Sequence, residues 1–239
     1  MKSLKIRLVN LVKELDPSLG LCSIATYTKE KLSDKIDISI IDTNFDNPID
    51  RIRKDMPDII GISAMTVYFN TAKILAQKIK EINKDIIVVI GGVHISTHKP
   101  SFEKCFDIAV IGEGEETFYN IIKEYMNNNM HLSYETKKNI KGIIFWDKEE
   151  IIETQARELI GNLDDIPYPD RSFLNKKYFK KNINRALDGK YVMASTMMTG
   201  RGCPFKCVFC STSLFWKKVR LVSPQRFADE VQYLHDTFN

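Results

Sequence analysis

The sequence predicts a doubly wound α/β fold, in which helices cover both faces of a five-stranded parallel sheet. Over about the first 130 residues, short apolar runs rich in Ile and Val alternate with longer amphipathic stretches, as strands and helices do in such folds. The runs contain almost no alternating polar residues, which is typical of strands buried on both faces. A basic region with three clustered cysteines follows.

Five strands and four helices account for the first region. The third helix has the clearest signal, because Ala72, Leu75, Ala76, Ile79 and Ile82 recur at helical spacing and form one apolar stripe. The expected strands are residues 5–10, 37–41, 58–63, 86–90 and 108–111, and the expected helices are residues 18–32, 48–54, 68–83 and 115–127.

The chain changes character after the fourth helix. Residues 141–157 place an apolar run on each side of a charged tetrad at 147–150, which predicts a β-hairpin. Two prolines within residues 162–174 favour an extended connector, and a strand over 191–199 and a helix over 223–239 follow. We therefore expect one domain over residues 1–135, a hairpin and linker over 136–190, and the incomplete start of a further domain over 191–239.

Length and composition bound the class of protein. The chain has 239 residues, of which 44% are apolar and 28% are charged, as in ordinary globular proteins. No apolar run approaches the roughly 20 residues needed to span a bilayer, and the N-terminus lacks the apolar core of a signal peptide. We therefore expect a cytoplasmic protein, whose five cysteines stay reduced for metal or redox chemistry.

Positive charge is concentrated around the clustered cysteines. The net charge is +4, but residues 171–220 contain twelve Lys or Arg and a single acid, Asp188. Such a block either attracts an anionic ligand, nucleic acid included, or is a solvated connecting segment.

Small or polar residues follow each expected strand. These turns are residues 16–20, 42–44, 63–66, 91–94 and 112–115, and all five lie where the carboxyl ends of parallel strands form a ligand-binding crevice. Their glycines allow a ligand to approach the backbone, and the helices that follow present amide groups. None of the turns has the glycine fingerprint of a nicotinamide-cofactor or nucleoside-triphosphate site.

The order of these turns resembles a known family. The successive stretches are "SLGLCSIATYTKEKL", "IDT", "DIIGISAMT", "VVIGGVH" and "AVIGEGEETF". Together with the cysteine cluster that follows, they resemble the cobalamin-binding domain that precedes a radical S-adenosylmethionine (radical SAM) domain. The resemblance covers nearly the whole chain. It implies a Rossmann-like domain that holds the corrin ring of cobalamin against the carboxyl edge of its sheet.

The resemblance also implies which residues contact cobalamin. The nucleotide tail of the cofactor would run beside Ser63, Thr66 and the turn at 91–94. The full set of implied cobalamin contacts is Leu19, Gly20, Ser63, Thr66, Gly91, Gly92, Val93, His94, Gly112, Glu113, Gly114 and Glu115.

One feature departs from many cobalamin proteins. Cobalamin mutases and methionine synthases carry Asp-x-His-x-x-Gly after their first strand, whereas residues 16–20 here read Asp-Pro-Ser-Leu-Gly without the cobalt-ligating His. The absence agrees with cobalamin bound without a His ligand, and equally with a domain that has lost its cofactor. His94 is either a cobalt ligand or a turn histidine. Glu113 and Glu115 are either a general acid and base or loop acids that cap the following helix.

The stretch "TGRGCPFKCVFC", residues 199–210, carries the strongest motif. Three thiolates can hold three irons of a four-iron cube, which leaves the fourth iron open. The Cys-x-x-x-Cys-x-aromatic-Cys pattern closely resembles that of radical SAM enzymes. It implies a [4Fe-4S] cluster on Cys203, Cys207 and Cys210, with S-adenosylmethionine on the open iron, Phe209 near its adenine, and reductive cleavage to a 5′-deoxyadenosyl radical.

Other interpretations of the cysteines stay open. Zinc would take Cys207, Cys210 and Cys203 together with His235, Cys105 or Cys22, and a degenerate cluster would bind no metal. Cys22 and Cys105 stand in apolar surroundings that suit buried structural thiols. The methylthiotransferases of transfer RNA share the radical motif, but their three further cluster cysteines are absent from the turns of this chain.

These features predict the N-terminal part of a cobalamin-dependent radical SAM enzyme. Its reaction would be methyl transfer to an unactivated carbon or a radical cyclisation of a small molecule, with flavodoxin or ferredoxin as electron donor and no nucleic-acid partner. The sequence ends after one strand and one helix of the expected barrel, so we expect a truncated chain whose own catalysis is open. The rival interpretation is a non-catalytic cobalamin-binding or regulatory module.

Overall fold

The computed structural model describes residues 3–13, 17–179, 184–185, 191–192, 195–216 and 218–238. Within these ranges the strands are β1 Leu4–Asn10, β2 Ile36–Asp42, β3 Ile59–Ser63, β4 Ile87–Gly91, β5 Ile108–Val110, β6 Ile143–Asp147, β7 Glu150–Glu153, β8 Asn184–Arg185, β9 Tyr191–Val192, β10 Gly200–Arg201 and β11 Arg220–Leu221. The helices are α1 Leu19–Leu32, α2 Pro48–Asp55, α3 Phe69–Ile82, α4 Val93–Thr97, α5 Gly114–Asn127, α6 Tyr134–Lys138, α7 Thr212–Phe215 and α8 Pro224–Phe238.

A seven-stranded sheet forms the centre of the molecule, in the order β2-β1-β3-β4-β5-β6-β7. The first five strands are parallel, which confirms the α/β fold with a mostly parallel sheet. The sheet is wider than the five strands expected, because the predicted hairpin β6–β7 adds to its edge: β6 pairs antiparallel with β5, from Ile108 opposite Phe145 to Val110 opposite Ile143. The parallel strands form as predicted because their branched apolar side chains suit a sheet covered on both faces.

The helices form two hydrophobic cores, one on each face of the sheet. On one face, Ala72 and Ile79 of α3 pack with Ile62 and Ile90 of the sheet. On the other face, Phe118 and Ile121 of α5 pack with strand residues that include Leu8 and Val89, together with residues of α1. Each fully buried aliphatic side chain contributes roughly 1.5–3 kcal/mol, so both cores hold the sheet edge in place.

The linker lies along α1 and β2. The Asp170 amide donates to Thr26 Oγ1 at 2.8 Å, and the Cys22 thiol donates to the Asp170 carbonyl at 2.9 Å. The Tyr178 hydroxyl donates to Asp42 Oδ2 at 2.7 Å, so the carboxylate at the end of β2 already has a protein partner. Short 3-10 turns, one of them at Lys176–Phe179, interrupt the extended connector that the prolines predict.

The C-terminal segment is described as two short ribbons and two helices. The strand predicted over residues 191–199 is shorter here: β9 pairs with β8 at Tyr191–Val192, residues 193–194 lie outside the described ranges, and residues 195–199 are not in a strand. The helix predicted after residue 223 is α8. A barrel that would follow it stays a prediction. Among the described helices, none combines the length and the apolar character that crossing a membrane requires.

Candidate active site: a crevice between the sheet edge and the cysteine loop

A crevice opens at the carboxyl edge of the sheet, where the expected turns meet. Its volume is about 180 Å³ and its lining is predominantly apolar. The floor consists of strand residues that include Leu8, Gly61, Ile62, Val89 and Val110. A ligand that enters the crevice therefore leaves water for an apolar surface, which favours binding of its apolar parts.

Glycines form parts of the floor and wall of the crevice where a larger side chain would clash with neighbouring atoms. A Cβ atom at Gly61 would lie 2.7 Å from Leu8 Cδ2 and 3.2 Å from Phe118 Cε2, so a larger residue there would displace both side chains. Gly92 has a φ of +98°, and its Cβ would lie 2.7 Å from the Ala64 carbonyl oxygen. Only glycine adopts this backbone without strain at such close approach.

The structure brings together eight of the twelve residues for which a cobalamin contact is expected. These eight line the crevice: Gly20, Ser63, Gly91, Gly92, Gly112, Glu113, Gly114 and Glu115. The other four, Leu19, Thr66, Val93 and His94, stand outside its lining. Leu19 borders a small neighbouring cavity, and Val93 begins α4.

His94 has protein partners on both ring nitrogens. Nδ1 lies 3.1 Å from Thr66 Oγ1, and Nε2 lies 2.9 Å from Ser101 Oγ. The ring also packs on Phe69, with 4.1 Å between ring centroids. Burial, with a smaller contribution from nearby His98, lowers the pKa of His94. The contacts are those of a turn histidine tied into its own loop.

The roof of the crevice comes from the C-terminal segment. Met198, Arg201, Phe215 and Trp216 line the crevice opposite the sheet. We call residues 202–219 the cysteine loop; β10 and β11 pair antiparallel at its base, with Arg201 opposite Arg220. The sequence places Arg201 beside the cysteine motif, but no local pattern indicates that this base covers the sheet edge.

Four buried charges join the roof to the β5–α5 turn. Arg201 Nη1 lies 2.6 Å from Glu113 Oε1, and Arg201 Nη2 lies 2.5 Å from Glu115 Oε1. Arg220 Nη1 lies 2.9 Å from Glu113 Oε2, and Ser23 Oγ donates to Glu115 Oε1 at 2.9 Å. The four charged residues are only 4–8% exposed. Two positive and two negative charges therefore compensate one another away from water.

Glu113 and Glu115 thus form ion pairs with the two arginines. Burial alone would raise the pKa of Glu113, but hydrogen bonds from Arg220 and Arg201, and one from the Ile160 amide, bring that pKa below its ordinary value. Glu113 is the N-cap residue of α5, yet its side chain makes no capping hydrogen bond. The Glu113 carboxylate turns towards the arginines instead, while both acids still lie at the start of α5 as the capping interpretation expects.

The three motif cysteines lie on the exposed part of the cysteine loop. Cys207 is exposed, and Cys203 and Cys210 are half-buried. The Cys210 amide donates to the Cys207 carbonyl at 3.0 Å, and a side-chain hydrogen bond with Thr212 lowers the pKa of Cys210. Phe209 is 89% exposed. Within the described ranges, no three His, Cys, Asp or Glu residues are grouped closely enough to hold a metal ion.

The remaining cysteines differ in character. Burial raises the pKa of Cys22 to about 12 and that of Cys105 to about 11, which disfavours the thiolate form that binds metals. Cys22 is buried and Cys105 is half-buried. His235, another expected partner for zinc, is exposed on α8 and contacts Asp236 at 3.2 Å.

Comparison with known proteins matches the same part of the chain. The B12 binding domain family matches residues 8–122, which include the end of β1 and all of β2 to β5. An uncharacterized methyltransferase of Pyrococcus horikoshii is 35% identical over 98% of this chain and 51% of its own length. A cobalamin-dependent radical SAM methyltransferase of Streptomyces tokunonensis is 25% identical over 75% of this chain and 26% of its own length. The chain belongs to the cobalamin-binding radical SAM proteins.

Relatives of this cobalamin-binding radical SAM protein also include cyclases. The anaerobic magnesium-protoporphyrin IX monomethyl ester cyclase of Cereibacter sphaeroides is 31% identical over 77% of this chain and 29% of its own length. The chain spans about half, or less, of the length of these three relatives.

The residue types of the crevice suit cobalamin, although its volume of about 180 Å³ holds only a small part of that cofactor. Glycines that approach a ligand closely, an apolar floor and a second cavity of about 700 Å³ that shares Gly112 and Phe215 with the crevice provide surfaces for a large, partly apolar molecule. The donor set of the cysteine loop fits a cube with three ligated irons, because it offers three thiols and no fourth. The thiols would have to move together to bind it, which an exposed loop permits.

Proposed function

We propose that this chain is the N-terminal part of a cobalamin-dependent radical SAM enzyme. The substrate is a small molecule, and the reaction is either methyl transfer to one of its unactivated carbons or its radical cyclisation. The observation that carries the proposal is that the base of the cysteine loop forms the roof of the crevice at the carboxyl edge of the sheet. Relatives named as methyltransferases and as a cyclase support these two reaction classes.

The crevice residues hold cobalamin in this proposal. Bound cobalamin supplies a transferable methyl group or a redox-active cobalt centre. The glycines at 20, 91, 92, 112 and 114 leave room beside the backbone, Ser63 offers a hydroxyl to a polar group of the nucleotide tail, and the floor excludes water. Leu19, Thr66, Val93 and His94 stand outside the crevice lining, so any contact they make is with parts of the cofactor that extend beyond it.

The cysteine loop binds the [4Fe-4S] cluster through Cys203, Cys207 and Cys210. A cluster held by these three thiolates would supply one electron for the reductive cleavage of S-adenosylmethionine. Phe209 lies one residue before Cys210, and its exposed ring offers a surface on which adenine can stack. The loop base fixes where these ligands stand relative to the crevice.

The proposal extends to partners and location. Reduction of the cluster requires an electron donor such as flavodoxin or ferredoxin, and thiolate ligands require a reducing compartment such as the cytoplasm. Lys206 and Lys218 are exposed on the cysteine loop, and their charge suits an acidic electron donor. The proposed partners do not include nucleic acid.

Anaerobic reconstitution tests the proposal. The chain is incubated with iron, sulfide and hydroxocobalamin, passed through gel filtration, and assayed for iron, zinc and the visible absorbance of cobalamin. We expect about four irons per chain, since three thiolates can hold a four-iron cube, and retained cobalamin. Cleavage of S-adenosylmethionine is then measured with a chemical reductant.

Matched variants separate the sites. The triple change of Cys203, Cys207 and Cys210 to Ala should remove iron but retain cobalamin, whereas the double change of Cys22 and Cys105 to Ala should leave both unchanged. Zinc in place of iron, or no retained cobalamin, would contradict the proposal. Retained cobalamin without iron in the unaltered chain would instead support a non-catalytic cobalamin-binding module.

A further inference from the structure

Arg201 and Arg220 stand at the two ends of the cysteine loop. They are paired across the β10–β11 ribbon, so contacts that hold the two arginines in place also hold both ends of the loop. Trp216 lies over both guanidinium groups, at 5.6 Å from Arg201 and 5.4 Å from Arg220. The loop therefore has a closed base formed by two cations and one aromatic ring.

The carboxylates that pair with this base both belong to the turn that begins α5. Glu113 accepts from both arginines, and Glu115 accepts from Arg201 through both of its carboxylate oxygens, at 2.5 Å and 3.3 Å. Arg220 also donates to the Ile160 carbonyl. Between 86 and 107 residues separate the paired groups along the chain, so the pairs report how the two regions dock.

Each of these charges needs a partner because all four are buried. A buried charge without a partner is strongly destabilising, whereas compensated and hydrogen-bonded charges are tolerated. Glu113 and Glu115 also line the crevice, as do Arg201 and Trp216. Hence the groups that fix the loop base also border the space in which a ligand would lie.

We infer that Glu113, Glu115, Arg201 and Arg220 form a clamp that seats the cysteine loop on the crevice and couples crevice occupancy to loop order. The four are positioning residues: they act on the cysteines by holding both ends of their loop. The clamp itself does not depend on the proposed reaction, but its coupling to cobalamin rests on the proposed function. Because coupling between two sites is reciprocal, an ordered loop would in turn strengthen cobalamin binding.

Amide hydrogen exchange of the full chain without cofactors tests the clamp. Glu115→Gln should raise exchange over residues 202–216 by about tenfold, the effect of a typical contact in a network, and should leave strand β3 unchanged. Glu116→Gln is the matched control, because Glu116 is the next acid of the same helix but pairs with Arg157. Equal loop exchange in Glu115→Gln and the unaltered chain would overturn the clamp.

A double variant guards against misfolding. Glu115→Gln and Arg201→Gln together leave no charge uncompensated in that pair, so their combined effect on loop exchange should be smaller than the product of the single effects. Effects that multiply would show that the two residues act independently, which would also overturn the clamp. Far-ultraviolet circular dichroism checks that each variant retains its fold.

Tryptophan fluorescence tests the coupling. Trp146→Phe leaves Trp216 as the single tryptophan, since the chain has two, and Trp146 stacks on Phe102 away from the crevice. Hydroxocobalamin should quench Trp216. Arg220→Gln should weaken apparent binding by about tenfold, although Arg220 is not among the residues that line the crevice.

The outcomes distinguish the two proposals. Unchanged cobalamin affinity and unchanged quenching in Arg220→Gln would overturn the coupling while cobalamin binding stands. Failure of the unaltered chain to retain cobalamin would sink the proposed function and the coupling together. The exchange experiment, which needs no cofactor, would still decide the clamp.

Discussion

The sheet domain buries the same kinds of residue that the tip of the cysteine loop, residues 207–209, leaves exposed. In the sheet domain, Cys22, Val88 and Phe106 are completely buried. At the loop tip, Cys207 is exposed, Val208 is 104% exposed and Phe209 is 89% exposed. The sheet domain buries its thiol and apolar side chains in its own core, whereas the loop tip leaves a thiol and apolar side chains accessible.

The loop base explains how both properties coexist. Arg201 and Arg220 are buried in ion pairs, while the thiols between them stay accessible. Small segments without buried apolar contacts open locally at low cost in free energy. The base is therefore ordered and the tip is accessible, which suits the proposed role of the loop in gathering three thiolates around a cluster.

Thiol labelling should give the largest contrast. In the cofactor-free chain at pH 8, iodoacetamide should modify Cys207 at least about a hundredfold faster than Cys22, because only a thiolate that the reagent can reach is alkylated. Burial raises the pKa of Cys22 to about 12 and keeps the reagent from its sulfur, whereas Cys207 is exposed. Mass spectrometry of quenched samples measures both rates. Similar rates in the folded chain, compared with an unfolded control, would contradict the burial of Cys22.

A buried ion pair that holds α8 should give the largest effect on stability. Arg171 is almost completely buried, lies 2.7 Å from Glu230 Oε1 and donates to the carbonyls of Pro169 and Thr196. Arg171→Met should lower the free energy of unfolding by about 3–5 kcal/mol, because it leaves Glu230 buried without a countercharge. Urea denaturation measures the loss.

Two controls sharpen that experiment. Combining Arg171→Met with Glu230→Leu should recover most of the loss, because no buried charge is left unpaired. Lys104→Met, which breaks an exposed pair with Glu149, should cost less than about 1 kcal/mol. If all three variants had similar stability, the Arg171 pair would not be buried as described.

Gly20→Phe tests the crevice without a clash with the protein. A Cβ at Gly20 meets no atom within 4 Å, and Gly20 lines the crevice. The added ring should therefore compete with cobalamin, and overpacking of about 1–3 kcal/mol lowers affinity by roughly 10- to 100-fold. Absorbance titration with hydroxocobalamin measures the affinity of each chain for cobalamin.

The control for this variant is Gly161→Phe, which has equal space around its Cβ but lies outside the crevice. Its cobalamin affinity should match that of the unaltered chain. Thermal denaturation should show both variants at least as stable as the unaltered chain, and unchanged affinity in Gly20→Phe would place cobalamin elsewhere.

Valine substitutions should give the smallest effect. Val208→Ala should change the free energy of unfolding by less than about 0.5 kcal/mol, as for an exposed side chain. Val88→Ala should cost about 2 kcal/mol, because its methyl groups are fully buried in the sheet. Equal losses in urea denaturation would show that the loop tip is packed.

The sequence predicts the parallel sheet well because its signals are local. Apolar runs place all five strands to within two residues, and the turns after them converge on one edge because parallel strands end there. The glycines at 91, 92, 112 and 114 follow from the same rule. Val93 and His94 are less well placed by it, because the turn after β4 continues directly into the short helix α4.

The docking of distant segments could not be predicted in the same way. Nothing in the pattern around Glu113 and Glu115 distinguishes a capping role from ion pairs with Arg201 and Arg220, because these pairs join residues 86 or more positions apart. The roof residues Phe215 and Trp216 carry no local signal for the crevice either. Charge pairing in the folded state needs the fold itself as input.

The hairpin β6–β7 has a practical consequence for dissecting the molecule. It covers the edge of β5, and Ile143, Ile144 and Phe145 contribute to the two cores, one on each face of the sheet. A fragment cut at residue 135 would expose the unpaired backbone of β5 and invite association between copies through that edge. A cut after Arg157 keeps the hairpin, so it is the better starting point for isolating the cobalamin-binding half.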